Sequence, residues 1–415
     1  MTPLDLFLPC PLGVEDWLAQ EAQAITGIKP HTQRAGVWLR GDWRAMMRLN
    51  LHSRIAQRVL IRLSHQLYRS EDDVYEAARQ TPWPDWFDAQ DSFRIDTTAQ
   101  RSPLKSLNFA TLRIKDGIVD RFRDATGQRP NVDTQRPRVR IVAHLDAETV
   151  GLFIDSSGEP LFKRGWRQDK GDAPLKETLA AALIMATGWD PNGDDPLYDP
   201  CCGSGTIPIE AAQMACRIAP GLNRRFGFER LHGHAANAWR ELRDEAHADI
   251  VRAPQPVRVF GSDVAHRMVD FAQRNAERAG VSQALQLRGG DALQRPPPSD
   301  APGLMLLNPP YGERIDVAGV ASRGANRRFQ HGGIRSLQAP TPSADGEAAS
   351  RFYAALAAHW KGQFGGWTAW ILTPDAKLPG LMRLRESRRV PVFNGPIECR
   401  LFRFDLTARR APPQA

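Results

Sequence analysis

The chain has 415 residues, 42% hydrophobic and 25% charged, with a formal net charge of +8. Such a length calls for two or three domains with buried cores, and the composition excludes collagen-like, low-complexity and disordered polymers. No stretch reaches the 18 or so apolar residues of a membrane span, and the modest positive excess suits a polyanionic partner as well as it suits an ordinary basic protein.

The N-terminal MTPLDLFLPCPLG lacks the basic segment and long apolar run of a secretory signal, so a cytoplasmic protein is expected. Residues 4–10 read as a buried strand, and a helical pattern opens at Gly13 and runs through Trp17, Leu18 and Ala24. Gly36 to Arg40 reads as a second strand. Asp42 is a plausible N-cap for a helix that carries Met46, Met47 and Leu49, and Val59 to Leu63 alternates as a third strand. Together these make a small β-α-β-α-β unit.

Residues 70–155 make a second α+β unit. Ser92 to Thr98 alternates as a strand. Phe109 to Phe122 is an amphipathic helix with Leu112, Ile114, Ile118, Val119 and Phe122 as its expected buried stripe. Val139 to Leu145 and Thr149 to Ile154 form a hairpin. Between Arg94 and Arg140 stand eleven Lys/Arg against five Asp/Glu. This excess is either a solvated helix face or a phosphate-binding surface, which would give affinity without sequence information.

Residues 156–172 read as a polar linker. Beyond it helices and short apolar strands alternate, which predicts an open, largely parallel α/β sheet over residues 173–410. Pro174 suits the first turn of a helix carrying Leu175, Leu179, Leu183 and Ala186, and 367–374 and 399–406 supply late strands. Residues 316–350, rich in Gly, Ala, Ser and Arg, show no period and read as a loop; the tail APPQA reads as disordered.

Two motifs carry chemistry. In Pro196 to Ala212, PLYDPCCGSGTIPIEAA, a short strand ends at Asp199, a turn follows with Gly203 and Gly205, and a helix begins. Glycines let backbone approach a ligand closely, and the free N–H groups of a helix start face an anion, here a carboxylate sooner than a pyrophosphate. The spacing is neither that of a P-loop nor that of a dinucleotide fingerprint. In Leu304 to Ile315, LMLLNPPYGERI, a buried strand is followed by Asn308-Pro309-Pro310-Tyr311. Ligands bind at such carboxyl ends. Two prolines stiffen the loop and leave carbonyl acceptors beside an amide and an aromatic ring, a set that suits a planar base bearing an amino group. The five cysteines show no CxxC spacing and no His pair stands at ligand spacing, so no metal site is expected and a reducing compartment fits.

DPCCGSGT at 199–206 with NPPY at 308–311 resembles the class I, Rossmann-like methyltransferases that act on exocyclic amines. The segment from Trp166 to Trp189, GFE at 227–229 and NGPIECRLF at 394–402 resemble the narrower family of THUMP-domain RNA methyltransferases, in particular the bacterial enzymes that methylate guanine N2 of 23S rRNA. The resemblance covers nearly the whole chain. It implies a ferredoxin-like domain over 1–65, a THUMP RNA-binding domain over 66–155 and a class I methyltransferase domain over 173–410. It implies S-adenosylmethionine as cofactor, held by Asp199, Pro200, Cys202, Gly203, Ser204, Gly205 and Thr206, with Asp263 on the ribose hydroxyls and Asp291 on the adenine amino group. Asn308, Pro309, Pro310 and Tyr311 would hold the target base, in 23S rRNA or a large-subunit assembly intermediate. A monomer is the default expectation, and a second methyltransferase domain, carried by some members, is not expected within these 415 residues.

Two features depart from that pattern. Asp263 lies 64 residues after Asp199, so 217–254 is read as an insertion, and the 316–350 stretch is longer than the family pattern leads one to expect. The rival functions are a tRNA guanine-N2 methyltransferase, an adenine-N6 methyltransferase of DNA or RNA, and a non-catalytic RNA-binding assembly factor.

Overall fold

Along Leu4–Pro9 the apolar residues alternate, so Leu4, Leu6 and Leu8 turn to a buried face while Asp5 and Phe7 turn to the other. The same alternation organises a seven-stranded sheet. The computed structural model describes residues 3–171, 175–309 and 344–407, except for the side chains of 344–348. The chain divides into two units, Met1–Gly165 with Ile218–Ile250, and Trp166–Arg217 with Val251–Ala415.

The first unit runs β1 (Leu4–Pro9), α1 (Glu15–Thr26), β2 (His31–Gln33), β3 (Gly36–Gly41), α2 (Trp43–His52), β4 (Leu60–Leu67), α3 (Glu71–Gln80), β5 (Phe93–Ala99), α4 (Leu107–Thr126), β6 (Val139–Leu145) and β7 (Thr149–Asp155). Its strand order is β2-β3-β1-β4-β7-β6-β5. Asp42 caps α2 as expected, its side chain accepting from Ala45 N at 2.8 Å. Ala22, not Ala24, joins Leu18 on the buried face of α1. Leu112, expected in the buried stripe of α4, is 53% exposed. The inward face is instead Ala110, Ile114, Gly117, Ile118, Val119 and Phe122. A Cβ on Gly117 would stand 2.4 Å from Tyr75 O, so α3 and α4 touch there backbone to backbone, which turns the stripe away from Leu112.

The expected linker does not begin at Ser156. Ser156, Ser157, Leu161 and Arg164 are buried in the first unit. Asn50 Nδ2 donates to Ser156 Oγ at 2.9 Å and to Met46 O at 3.0 Å, while Asn50 Oδ1 accepts from Ser157 Oγ at 2.6 Å. Ser157 Oγ in turn accepts from Val59 N at 2.8 Å. A polar stretch can be interior because every member of this network is satisfied.

The second unit runs α5 (Glu177–Thr187), β8 (Leu197–Asp199) and α6 (Thr206–Ala215), leaves for α7 (Ala236–Ala248) in the first unit, and returns for β9 (Val259–Asp263), α8 (His266–Arg278), β10 (Leu285–Gly289), β11 (Leu304–Leu307), α9 (Ala344–Gln363), β12 (Thr368–Thr373), α10 (Leu378–Met382), β13 (Arg388–Asn394) and β14 (Ile397–Asp405). Helix α5 starts at Glu177, so Leu175 lies before it, and Pro174 lies outside the described residues. Helix α9 starts at Ala344, inside the stretch read as a loop, and most of the rest of 316–350, like APPQA, lies outside the described residues.

The sheet order is β10-β9-β8-β11-β12-β14-β13. The first five strands are parallel and β14 pairs antiparallel with both β12 and β13. This is the Rossmann-like class I arrangement. One core packs Trp360 of α9, Phe364 and Trp367 of the connection that follows, and Ile371 of β12 against Phe402 and Phe404 of β14.

Asn50→Ala strands the Ser157 hydroxyl in the interior. A loss of about 2 kcal/mol is expected, read as an earlier urea midpoint for the first unit. A midpoint equal to that of the unsubstituted chain would show that the network contributes no stability.

Candidate functional site

Strand β8 is flanked by β9 on one side and β11 on the other, so successive crossovers leave it in opposite directions. A crevice opens at the carboxyl ends of strands at such a switch point. Asp199 ends β8, Asp263 ends β9, and Asn308 is the first residue beyond β11.

Asp199 is 2% exposed, and its Oδ1 accepts from Cys201 N at 3.0 Å. Burial pushes its carboxyl well above the usual range, and the neighbouring Asp263 pushes it further. Asp263 Oδ2 accepts from Gly203 N and Oδ1 from Ala265 N, both at 2.9 Å. Burial raises its carboxyl also, and those two N–H groups draw it back. The thiols of Cys201 and Cys202 are pushed up by burial and by the two acids, which makes them poor nucleophiles.

Between Asp199 and α6 the chain turns through Gly203 at φ 53° and Gly205 at φ 88°. A Cβ on Gly205 would stand 2.9 Å from Ala272 Cβ of α8. Only glycine takes this backbone and lets the turn sit so close to that helix. Gly205 is the N-cap of α6 and no side chain caps it, so the first-turn N–H groups have no side-chain acceptor. Pro200, Cys202, Ser204 and Thr206 are buried within the same turn.

Asn275 and Arg167, outside the motif, and Tyr198, inside it but given no role there, hold this turn. Asn275 of α8 is buried, and its Nδ2 donates to Ser204 O at 3.0 Å and Asp169 O at 2.8 Å. Arg167 donates to Thr206 Oγ1 at 2.8 Å and pairs with the buried Glu177 at 3.0 Å. Tyr198 Oη shares a 2.6 Å hydrogen bond with Ser262 Oγ, cross-bracing β8 and β9 beneath the two acids, and burial pushes its hydroxyl to about 12.

Asp291 follows β10, half-buried, with its Oδ1 accepting from Leu293 N at 2.9 Å. Asn308 is half-buried, but its Oδ1 is fully enclosed and has no hydrogen-bond partner among the described residues. Pro309 is buried; Pro310 and Tyr311 lie outside the described residues. Among the described residues no group of acids, His and Cys is placed to hold a metal.

Three family models match the chain: the RlmL ferredoxin-like domain over 5–60, the THUMP domain over 68–155 and the RMKL-like methyltransferase domain over 164–323. Over 399 residues the chain is 35% identical to the Ribosomal RNA large subunit methyltransferase K/L of Shewanella baltica (strain OS195), a match covering 95% of this chain and 52% of that protein. The chain thus spans about half the length of the curated relatives it matches. Among solved structures it is similar to a possible methylase from Clostridium difficile 630, with TM-score 0.83 and 26% identity over 100% of both chains. It is also similar to a protein described as a predicted N6-adenine-specific DNA methylase from Listeria monocytogenes str. 4b F2365, with TM-score 0.81 and 28% identity over 97% of this chain and 96% of that one.

Because the folded environment raises the Asp199 carboxyl, the native state binds its proton more tightly than the unfolded state does. Its cost to stability therefore grows as pH rises above the unfolded value toward the folded one. Asp199→Asn keeps the Cys201 N–H acceptor and removes that cost. The ligand-free variant is expected to melt about 2–4 °C higher at pH 8 and with a smaller gain at pH 5. Equal melting temperatures at pH 8 would show that burial of Asp199 carries no such cost.

Proposed function

The chain belongs, by its three matched domains, to the THUMP-domain class I methyltransferases, and from that premise we propose that it transfers a methyl group from S-adenosylmethionine to the exocyclic N2 amine of a guanine in large-subunit (23S) ribosomal RNA. The observation that carries this reading is Asn308 Oδ1, enclosed and without a hydrogen-bond partner among the described residues, at the end of β11, the strand next to β8. The names of the curated relatives support the ribosomal substrate.

The residues present fit the cofactor. When bound, it supplies an electrophilic methyl group on a sulfonium. Asp199, a buried carboxyl met by a single backbone N–H, suits the positive end of the molecule, whose charge favours its ionised form. The uncapped start of α6 suits its carboxylate. Each Asp263 oxygen accepts one backbone N–H and keeps a lone pair for a ribose hydroxyl. Asp291 stands at the end of the adjacent strand for the adenine amino group. Pro200, Cys202, Ser204 and Thr206 wall the turn.

A base amine is a poor nucleophile because its lone pair is delocalised into the ring. Asn308 Oδ1 and the Pro309 carbonyl accept the two amine hydrogens, which turns the lone pair towards the methyl carbon and stabilises the charge that develops on nitrogen. With the donor bound, the N–C bond would form as the C–S bond breaks, its electrons leaving with sulfur, and one amine proton would then pass to water. Pro310 stiffens the loop and Tyr311 stacks on the base. Transfer rests on orientation, and a base within a helix is first flipped out. Residues 66–155 hold the RNA. Of the eleven basic residues from Arg94 to Arg140, Arg101, Lys105, Arg121, Arg129 and Arg136 have no acidic partner among the described residues and are free for phosphates.

The test incubates the chain and S-adenosylmethionine with unmodified large-subunit rRNA, bulk tRNA and duplex DNA, then identifies methylated nucleosides by mass spectrometry. N2-methylguanosine in rRNA alone is expected. N6-methyladenine in DNA, the activity in the Listeria protein's description, or methylguanosine in tRNA alone would overturn the substrate. No product with any of them, despite cofactor binding, would favour an assembly factor. Asn308→Ala is expected to lower kcat about 100-fold with cofactor Kd unchanged, whereas Asp263→Ala is expected to weaken cofactor binding about ten-fold or more.

A further inference from the structure

One face of the first sheet, opposite its apolar core, carries rings and cations. Trp38 of β3 pairs across the strands with Phe7 of β1, and Arg62 of β4 pairs with Phe153 of β7. The Trp38 ring lies 4.8 Å from Phe7 and 6.0 Å from Phe153, and its Nε1 donates to Gln33 Oε1 at 2.7 Å. The Arg62 guanidinium sits 4.5 Å over the Trp38 ring and is held by Asp5 at 3.1 Å. Arg40, His65 and His144 of the same face are exposed. These residues line an open depression of about 670 Å³, a size that accommodates a small ligand, with Lys29 at its border.

The charges in this depression are not balanced from within. Asp5 is engaged by Arg62, and Asp146 is occupied by the N–H groups of Glu148 and Thr149 and by the Thr149 hydroxyl. Lys29 and Arg40 have no acidic partner among the described residues. A ring with a guanidinium stacked upon it, on a sheet face with unpaired cations beside it, offers planar stacking and phosphate contact together. Unpaired bases are recognised by such surfaces, since every base has a π-face, whereas in a duplex those faces are covered by neighbouring bases.

We propose that the depression built around Trp38 and Arg62 is a binding site for an unpaired nucleotide of single-stranded RNA, its base stacked on the Trp38–Arg62 platform and its phosphate met by Lys29 and Arg40. The site rests on the reading that the chain acts on RNA and assigns the first unit a grip on unpaired segments. It is separate from the switch-point crevice.

The test uses the full chain and a fluorescein-labelled single strand of about 12 nucleotides, with a duplex of equal length as comparison, in an anisotropy titration. Trp38→Ala is expected to raise Kd for the single strand roughly ten-fold and to leave duplex affinity nearly unchanged. Trp38→Phe is expected to keep most of the affinity, and Lys29→Ala with Arg40→Ala to flatten the salt dependence. Because loss of Trp38 also unpacks a ring cluster, photocrosslinks from a 4-thiouridine strand are mapped on the unsubstituted chain, where peptides containing Trp38, Arg62 or His144 are expected. Crosslinks confined to other peptides, single-strand affinity unchanged by Trp38→Ala, or no single-strand binding at all would each overturn the site. A chain that binds single strands through Trp38 yet methylates no RNA keeps the site and sinks the proposed activity. One that methylates RNA without dependence on Trp38 does the reverse.

Discussion

Two carboxylates, Asp199 buried and Asp263 half-buried, stand at the ends of adjacent parallel strands, and neither has a cationic partner among the described residues. Asp199 is met by one backbone N–H and Asp263 by two. Taking acids out of water in this way is costly, and their mutual repulsion adds to the cost. The second unit is arranged around that cost. The turn must bring Gly203 N within 2.9 Å of Asp263, which sets the path of the chain from β8 into α6. That path presses Gly205 against Ala272 and leaves the helix start uncapped, aimed into the same crevice as the acids. A protein indifferent to what lies in the crevice would gain stability from an amide at position 199.

Rigidity is supplied from behind. Asn275 joins the turn, through Ser204, to the segment at Asp169, which is itself anchored by Arg274 and Arg278 and held down to about 2 by them. Arg167 reaches Thr206 while paired with Glu177, and burial lowers its own affinity for a proton. The carbonyl of Ser204 and the hydroxyl of Thr206 are thus occupied by the scaffold. Asn308 Oδ1, by contrast, has no donor among the described residues, and an enclosed acceptor left so costs free energy until something supplies one.

How much of this was legible in the sequence depended on how local the signal was. Asp199, Gly203 and Gly205 belong to one strand-turn-helix, and the apolar run before Asn308 marks its strand, so both motifs could be read from order alone. Asp263 needed the family resemblance, because an excursion of some 33 residues separates it from the first motif. Asn275 and Arg167 left no local trace: the turn residues they hold, Ser204 and Thr206, lie 71 and 39 residues away, and their residue types are common on surfaces. Among the elements, α3 escaped notice because only Val74, Ala77 and Ala78 face inward, small residues in a polar sequence whose capping box at Ser70 and Asp73 was the available clue. Strand β13 carries Pro391 and two arginines, as an edge strand can, and so lacks the apolar alternation of an interior one. The buried serines at 156 and 157 read as linker because a hydroxyl in a satisfied network and one in water look alike in sequence.

The excursion Ile218–Ile250 has a consequence for how the molecule is made. The first unit is not complete until residue 250 has been synthesised, by which time Trp166–Arg217 of the second unit has already been produced. Domains that are contiguous in sequence can finish folding one after another as they leave the ribosome. Here the N-terminal sheet must wait, with part of its packing missing, while α5, β8 and α6 emerge and in turn wait for strands still to come. The two units are therefore interleaved in time as well as in sequence, and cutting the gene at residue 165 would release neither of them whole.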